Sequence, residues 1–285
     1  MTTLALPLPV LTKGRFASLD AYSDDALYET TGVRIAFTTR HGGVRTGSYD
    51  SLNLGSHVDD TYETVQENRM RVIHTLASRE LPLVVPTQVH GDTVLSVDDA
   101  HFLTEVQREA HEGADALIVD VPDVAALLCF ADCVPVIAVL PTGRFAVIHA
   151  GWRGVENGIT AKTIRLMVEA EMQNGALDGD VLHCELMAGC NVYIGPYIHQ
   201  ECFETGAEVH QRFIDRFGES CVFDASHINL AQALRVQLCE IGIDTRRVCD
   251  LDKCTVCCND EFFSYRAQDG IAGRHGALAF RVSRV

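Results

Sequence analysis

The sequence predicts a single mixed α/β domain, and three observations carry that prediction. Short, nearly continuous apolar runs at Ala114–Val119, Val124–Phe130 and Val134–Leu140 read as strands covered on both faces. Around them lie segments of helical periodicity, such as Thr61–Ala77, where Val65, Met70, Val72, Ile73 and Leu76 form an apolar side. No repeat, low-complexity tract or linker divides the 285 residues, which are enough to bury a substantial core.

In chain order, residues 1–30 read as an N-terminal extension and 31–285 as the domain proper. Val33–Thr39 alternates like a half-buried strand. It runs into Arg40-His-Gly-Gly-Val-Arg-Thr-Gly47, a loop rich in glycine and arginine, followed by Ser51–Gly55 and His57. After the Thr61–Ala77 helix come strand-like Leu83–Val89, then His90-Gly91, then a strand near Thr93–Val97. Ala100–Glu112 is polar and weakly helical, an exposed connection.

Val134–Leu140 and Phe145–His149 are expected as a hairpin, because Pro141-Thr142-Gly143 between them is a turn signal. The hairpin would bring Cys133 and His149 to one end of a sheet. Ala150-Gly-Trp-Arg-Gly154 follows at once and leads into a helix over Val155–Met172. Leu182–Gly195 reads as strand, interrupted at Gly189. Helices are expected at Gln200–Phe217 and Asn229–Ile241, with Ser226 as a candidate N-cap for the second. Strands near Arg247–Leu251 and Ala277–Val282 flank Cys254-Thr-Val-Cys-Cys258 and Phe262-Phe-Ser-Tyr-Arg266.

Composition excludes some roles. A formal net charge of −16 argues against nucleic acid or an anionic membrane as a general partner. An anionic substrate would need a local group of arginines. The apolar start has no basic lead and is broken by two prolines, a poor signal peptide. No stretch approaches the roughly 18 continuous apolar residues of a membrane span. The eleven cysteines are therefore expected as reduced thiols or metal ligands, in a cytoplasmic protein.

His90, Cys133 and His149 are the leading site candidates, each at or beside a strand end where loops converge. Two imidazoles and one thiolate match a catalytic zinc with three protein ligands and an open fourth position. Such an ion would activate a bound water and polarise the group under attack. The spacings are unlike those of compact zinc fingers, so the bland alternative is a buried cysteine with two histidines capping strands. The same atoms allow another reading: Cys133 as a nucleophile with His149 or His90 as its base. A trinuclear copper cluster is improbable, since the twelve histidines contain no His-x-His pair. His183-Cys-Glu185 with Cys254-Thr-Val-Cys257 mimics a nucleobase-deaminase signature, but Lys253 stands where proline belongs and the gap is long. The Cys254, Cys257 and Cys258 group could be a small structural metal site or a turn packed with thiols. Arg40 and Arg153, beside glycines, could bind phosphate or carboxylate. Trp152 and Phe130 could stack on a flat ring, with a core role as the default.

Thr38-Thr-Arg-His-Gly-Gly-Val44, Ser51-Leu-Asn-Leu-Gly55, Gln88-Val-His-Gly91, Gly113-Ala-Asp-Ala-Leu117, Ala131-Asp-Cys-Val-Pro135, His149-Ala-Gly-Trp-Arg-Gly154 and Phe262-Phe-Ser-Tyr-Arg266 together resemble the bacterial laccase-domain family. That family is also called polyphenol oxidase, and its members have been reassigned as purine nucleoside phosphorylases. The ordered blocks cover nearly the whole chain. The resemblance implies a four-layer α/β/β/α sandwich related to cysteine-dependent deamidases, with 31–285 as its catalytic domain. It implies zinc, with copper less expected, held by His90, Cys133 and His149, and Arg40 as an anion binder. It further implies phosphorolysis of adenosine, inosine, guanosine and methylthioadenosine, and deamination of adenosine. The partners would be purine nucleoside and phosphate. The chain departs from the pattern at Gly195–Gly206, which carries the extra His199, and in its longer Ala100–Glu112 segment.

Overall fold

A computed structural model describes residues 5–174 and 179–283 of the chain. In order, its strands are β1 (Thr12–Phe16), β2 (Leu19–Ser23), β3 (Val33–Thr38), β4 (Leu83–Val84), β5 (Val94–Val97) and β6 (Ala116–Val119). They continue with β7 (Ala125–Phe130), β8 (Val134–Val139), β9 (Phe145–Ala150), β10 (Asn191–Ile194), β11 (Val248–Asp250) and β12 (His275–Arg281). The α-helices are α1 (Asp25–Thr31), α2 (Tyr62–Ala77), α3 (Leu103–Glu112), α4 (Trp152–Asn157), α5 (Ile159–Asn174), α6 (Gly179–Gly189), α7 (Ala207–Phe217) and α8 (Leu230–Glu240).

The strands form two mixed sheets of six, ordered β1-β2-β3-β12-β7-β4 and β11-β10-β8-β9-β6-β5. Period-two alternation explains how they stack. Ala126, Leu128 and Phe130 of β7 meet Ile137 and Val139 of β8 and Phe145 and Val147 of β9 in one core between the sheets. Ala125 and Leu127 turn the other way, onto Val72, Ile73 and Leu76 of α2. Val136 and Ala138 of β8 face outward onto Ile164 and Val168 of α5 and Leu234 of α8. The layers therefore run helix, sheet, sheet, helix, as expected of a mixed α/β domain. Apolar strands buried on both faces are what such stacking requires, which is why these runs lack clear alternation.

Several expected elements take a different form. Residues 12–31, within the stretch expected as an extension, form β1, β2 and α1, and β2 pairs with β3 in the first sheet. The Leu182–Gly195 run is not one strand: it is helix α6 as far as Gly189 and strand β10 from Asn191. A continuous apolar run does not by itself separate a buried helix from a buried strand. The helix expected from Gln200 begins only at Ala207, because the backbone of the preceding loop bonds elsewhere: Thr205 donates to the Ser226 carbonyl. The helix expected over Val155–Met172 is two, α4 and α5, separated at Gly158 in the left-handed region. Asn229, not Ser226, caps α8, its side chain accepting from the Gln232 N–H at 2.9 Å. No helix among the described residues is long and apolar enough to cross a membrane.

Candidate metal centre

The β8–β9 hairpin places the first two candidate ligands. Pro135 lies opposite His149 in its register, so Cys133, just outside β8, stands beside His149. Along β9, alternation puts His149 on the same face as Phe145 and Val147, at the end of the core between the sheets. Phe130 forms the floor there, its ring centroid 5.4 Å from that of His149. Cys133 is presented by Asp132, whose φ is +96°. The Asp132 carboxylate holds that conformation by accepting from Ser264 Oγ at 2.6 Å, Thr255 Oγ1 at 2.7 Å and the Arg266 N–H at 2.7 Å.

His90 arrives from the loop between β4 and β5, also at positive φ, +58°. Side-chain-bearing residues held there are costly and collect at functional sites. Asp115 supports this one. It is fully buried, and its carboxylate accepts from the backbone N–H groups of His90 at 3.0 Å and Gly91 at 2.7 Å. The same Oδ1 lies 2.7 Å from Nδ1 of His149. One carboxylate thus sets the His90 backbone and fixes the His149 ring, leaving His149 Nε2 directed away from it.

The ligand atoms of His90, Cys133 and His149 all lie within 4.8 Å of one another, and the two rings meet edge to face. Burial alone would raise the Cys133 thiol, but His149 and His90 overcome it and bring it down to about 6. Burial would lower His149, yet the Cys133 thiolate and Asp115 raise it to about 9. Asp115 stays below the ordinary carboxylate range despite its burial, because His149 and the Gly91 amide stabilise its charge. These shifts favour a thiolate beside an imidazolium, so a cation would meet Cys133 in its ligating form and would displace the proton on His149. Gly151 completes the cradle. A Cβ there would sit 3.2 Å from His90 Cδ2 and 3.3 Å from Cys133 Sγ, so the absence of a side chain keeps the ligand space open.

The trio lines a pocket of about 400 Å³. Its walls bring Trp152, Phe203 and Tyr265 together with three cations, Arg153, Arg266 and Arg274. A neighbouring cavity of about 470 Å³ shares His57, Gln88 and Cys129 with it. Arg153 lies over the Trp152 ring, 4.3 Å from its centroid.

Arg40 is not part of that wall. Its Nε donates to the Asp50 carbonyl at 2.9 Å and its Nη1 to the Asn259 carbonyl at 2.7 Å, and its guanidinium lies over Phe263. Two neutral backbone acceptors therefore occupy donors that anion binding would use. His183 and Glu185 lie on α6, where residues two apart point to different faces, and neither joins a metal-ligand group. Cys254 and Cys257 belong instead to a second cluster, with Glu201 and Cys202. Arg266 and Arg274 were not singled out from sequence. Arg266 ends the Phe262–Arg266 block beside the pocket, which is the one signal that pointed to it.

Residues 34–281 match the family described as multi-copper polyphenol oxidoreductase laccase. A purine nucleoside phosphorylase from Bacteroides thetaiotaomicron is 31% identical, covering 91% of this chain and 92% of that protein. Purine nucleoside phosphorylase PA4543 from Pseudomonas aeruginosa is 34% identical, covering 87% of this chain and 93% of its own. The fold is similar to the crystal structure of YlmD from Geobacillus stearothermophilus, with a TM-score of 0.80, 28% identity and coverage of 96% and 100% of the two chains. It is also similar to YfiH from Bacillus licheniformis, with a TM-score of 0.79, 26% identity and coverage of 94% and 98%.

Proposed function

Because the chain belongs to the multi-copper polyphenol oxidoreductase laccase family, we propose that it is a zinc-dependent purine nucleoside phosphorylase. Adenosine, inosine, guanosine and methylthioadenosine are its substrates in this reading, with adenosine deamination as a side activity and the cytoplasm as its compartment. The observation that carries it is the convergence of His90, Cys133 and His149 on a pocket that also gathers arginines and aromatic rings. The activity named for the relatives from Bacteroides and Pseudomonas supports the same reading.

Zinc held by His90, Cys133 and His149 would supply Lewis-acid polarisation at the pocket wall. The rest falls to the chain itself. Arg274, with Arg153 at the rim, places phosphate by charge and directed N–H groups, while Arg266 adds positive charge beside them with its Nη1 and Nη2 donating to the Cys202 and Glu204 carbonyls. One phosphate oxygen then attacks C1′ of the ribose while the C1′–N9 bond breaks and its electron pair leaves with the purine. Holding both reactants in line is where most of the acceleration arises. Trp152, Phe203 and Tyr265 offer faces for the flat base. Arg40 acts at a distance in this scheme, bracing the loops that carry Asp50 and Asn259.

A second reading rests on the Cys133 thiol being brought to about 6. Cys133 would then be a nucleophile with His149 as its base, in a fold related to cysteine-dependent deamidases. Cys133→Ala separates metal from nucleophile. The zinc reading expects the variant to lose one equivalent of zinc by elemental analysis, together with nucleoside cleavage. Full cleavage by metal-stripped wild-type protein would overturn it and favour the nucleophile, and copper at the site with strong phenol oxidation would favour the oxidase instead.

A further inference from the structure

Away from the pocket, the chain brings together three more thiols and a carboxylate. Tyr197 forms a parallel bridge with Cys254, Tyr197 N–H donates to the Lys253 carbonyl at 3.2 Å, and Thr255 N–H donates to the Tyr197 carbonyl at 2.9 Å. That pairing lays the loop after β10 along the segment after β11. The next residues turn back: Cys202 N–H donates to the His199 carbonyl, and Cys258 N–H donates to that of Cys254. These two turns deliver Cys202 and Cys257 to the same spot, their Sγ atoms 3.6 Å apart. Cys254 is buried beside them, and its Sγ accepts the His199 N–H at 3.4 Å. The ligand atoms of Glu201, Cys202, Cys254 and Cys257 all lie within 4.8 Å of one another.

We propose that Glu201, Cys202, Cys254 and Cys257 form a second metal centre, a closed site with three thiolates and one carboxylate that binds zinc. The distances suit the ion. Zinc–sulfur bonds of about 2.3 Å in a tetrahedron set sulfurs roughly 3.8 Å apart, and Cys202 and Cys257 already stand at 3.6 Å. Cys254-Thr-Val-Cys257 has the Cys-x-x-Cys spacing of structural zinc sites, with the other two ligands supplied by a separate loop. Binding releases the three thiol protons to solvent and leaves the oxidation state of every atom unchanged. Without a cation the Cys202 thiol resists ionisation: burial and the adjacent sulfurs of Cys257 and Cys254 push it up to about 12. A divalent ion reverses that penalty.

Four protein ligands leave no open position, so the role is structural. The centre joins two loops that also build the pocket. Phe203 and Ile198 line it from one, and Tyr265 and Arg266 follow the other. Arg266 reaches back across the join, donating to the carbonyls of Cys202 at 3.3 Å and Glu204 at 3.1 Å. Zinc here would hold that wall in place without touching substrate.

The test is zinc stoichiometry on the full chain, stripped with chelator under reducing conditions and titrated with zinc alone. Wild-type protein should bind two equivalents and Cys133→Ala one. Cys257→Ser, altered at an exposed position, should also bind one and keep the ion at His90, Cys133 and His149. In parallel, Cys202, Cys254 and Cys257 should resist alkylation in the zinc-loaded protein and react after chelation, as read by peptide mass spectrometry. Unchanged stoichiometry in Cys257→Ser overturns the proposal, and so does equal labelling with and without zinc. A Cys202–Cys257 disulfide in freshly purified, oxidant-free protein would also overturn it, identifying an oxidised pair in place of a metal centre. Because Cys133→Ala is measured beside it, failure here leaves the reading of the pocket separately testable.

Discussion

Asp115 is the residue on which the pocket geometry depends most. It is buried without exposure, and its two oxygens serve His149 Nδ1 and the amides that fix His90. Asp115→Asn keeps the shape but removes the charge that favours the His149 imidazolium, and through it the Cys133 thiolate. Zinc affinity should fall about 10- to 100-fold, the usual loss when such a supporting carboxylate is removed. The electrostatic consequence can be read separately in metal-stripped protein. Alkylation of Cys133 should rise through a midpoint near pH 6 in the wild type, and the midpoint should move toward the ordinary thiol range in Asp115→Asn. An unshifted midpoint would show that Asp115 does not tune the pair. At this scale the sequence offered His90, Cys133 and His149 as candidates, because histidine and cysteine at strand ends are visible locally, and the family resemblance singled them out. The supporting carboxylate was not readable in the sequence, since Asp115 is singled out only by reaching from the start of β6 to His149 on β9.

Among the elements, the β8–β9 hairpin does most to build the site, and it was legible from its apolar runs and its turn. Its far end is tied down by Arg144, a fully buried arginine. Nε and Nη1 donate to Glu171 Oε1 at 2.8 Å and Asp98 Oδ1 at 2.9 Å, and Nη2 donates to Asp120 Oδ2 at 2.8 Å. Asp98 is largely exposed and its share is screened. Glu171 and Asp120 are better covered. Arg144→Ala leaves those acids without their cation and should cost about 3 kcal/mol, the lower end for breaking a buried pair. A lower urea midpoint with unchanged zinc content would place the loss in the hairpin's anchor, whereas an unchanged midpoint would refute that role. Other elements were less readable. β1 is largely exposed and alternates poorly, and only its pairing with β2 makes it a strand. Leu83–Val89 shortens to β4 because the rest of the stretch bonds elsewhere, Thr87 donating to the Ala110 carbonyl.

For the molecule as a whole, two sheets packed face to face leave an open end, where strand termini and long loops converge. The site sits there because each contributing segment, distant in sequence, finishes at that end. This explains the limits of a reading from sequence. Apolar runs identified several of the strands, while the approach of Arg274 to Cys133, or of Cys202 to Cys257, depends on how separate loops cross the end of the sandwich. It also explains how a chain of net charge −16 can be assigned an anionic substrate. Arg153, Arg266 and Arg274 make one pocket locally cationic against an acidic background.

The most direct test of the central claim is product analysis after incubating the purified, zinc-loaded protein with adenosine and phosphate. The account predicts adenine and ribose 1-phosphate, the latter equal to adenine plus any hypoxanthine formed by way of inosine, made only when phosphate is present and absent with Cys133→Ala. Adenosine recovered unchanged, or converted to inosine alone whether or not phosphate is added, would contradict it.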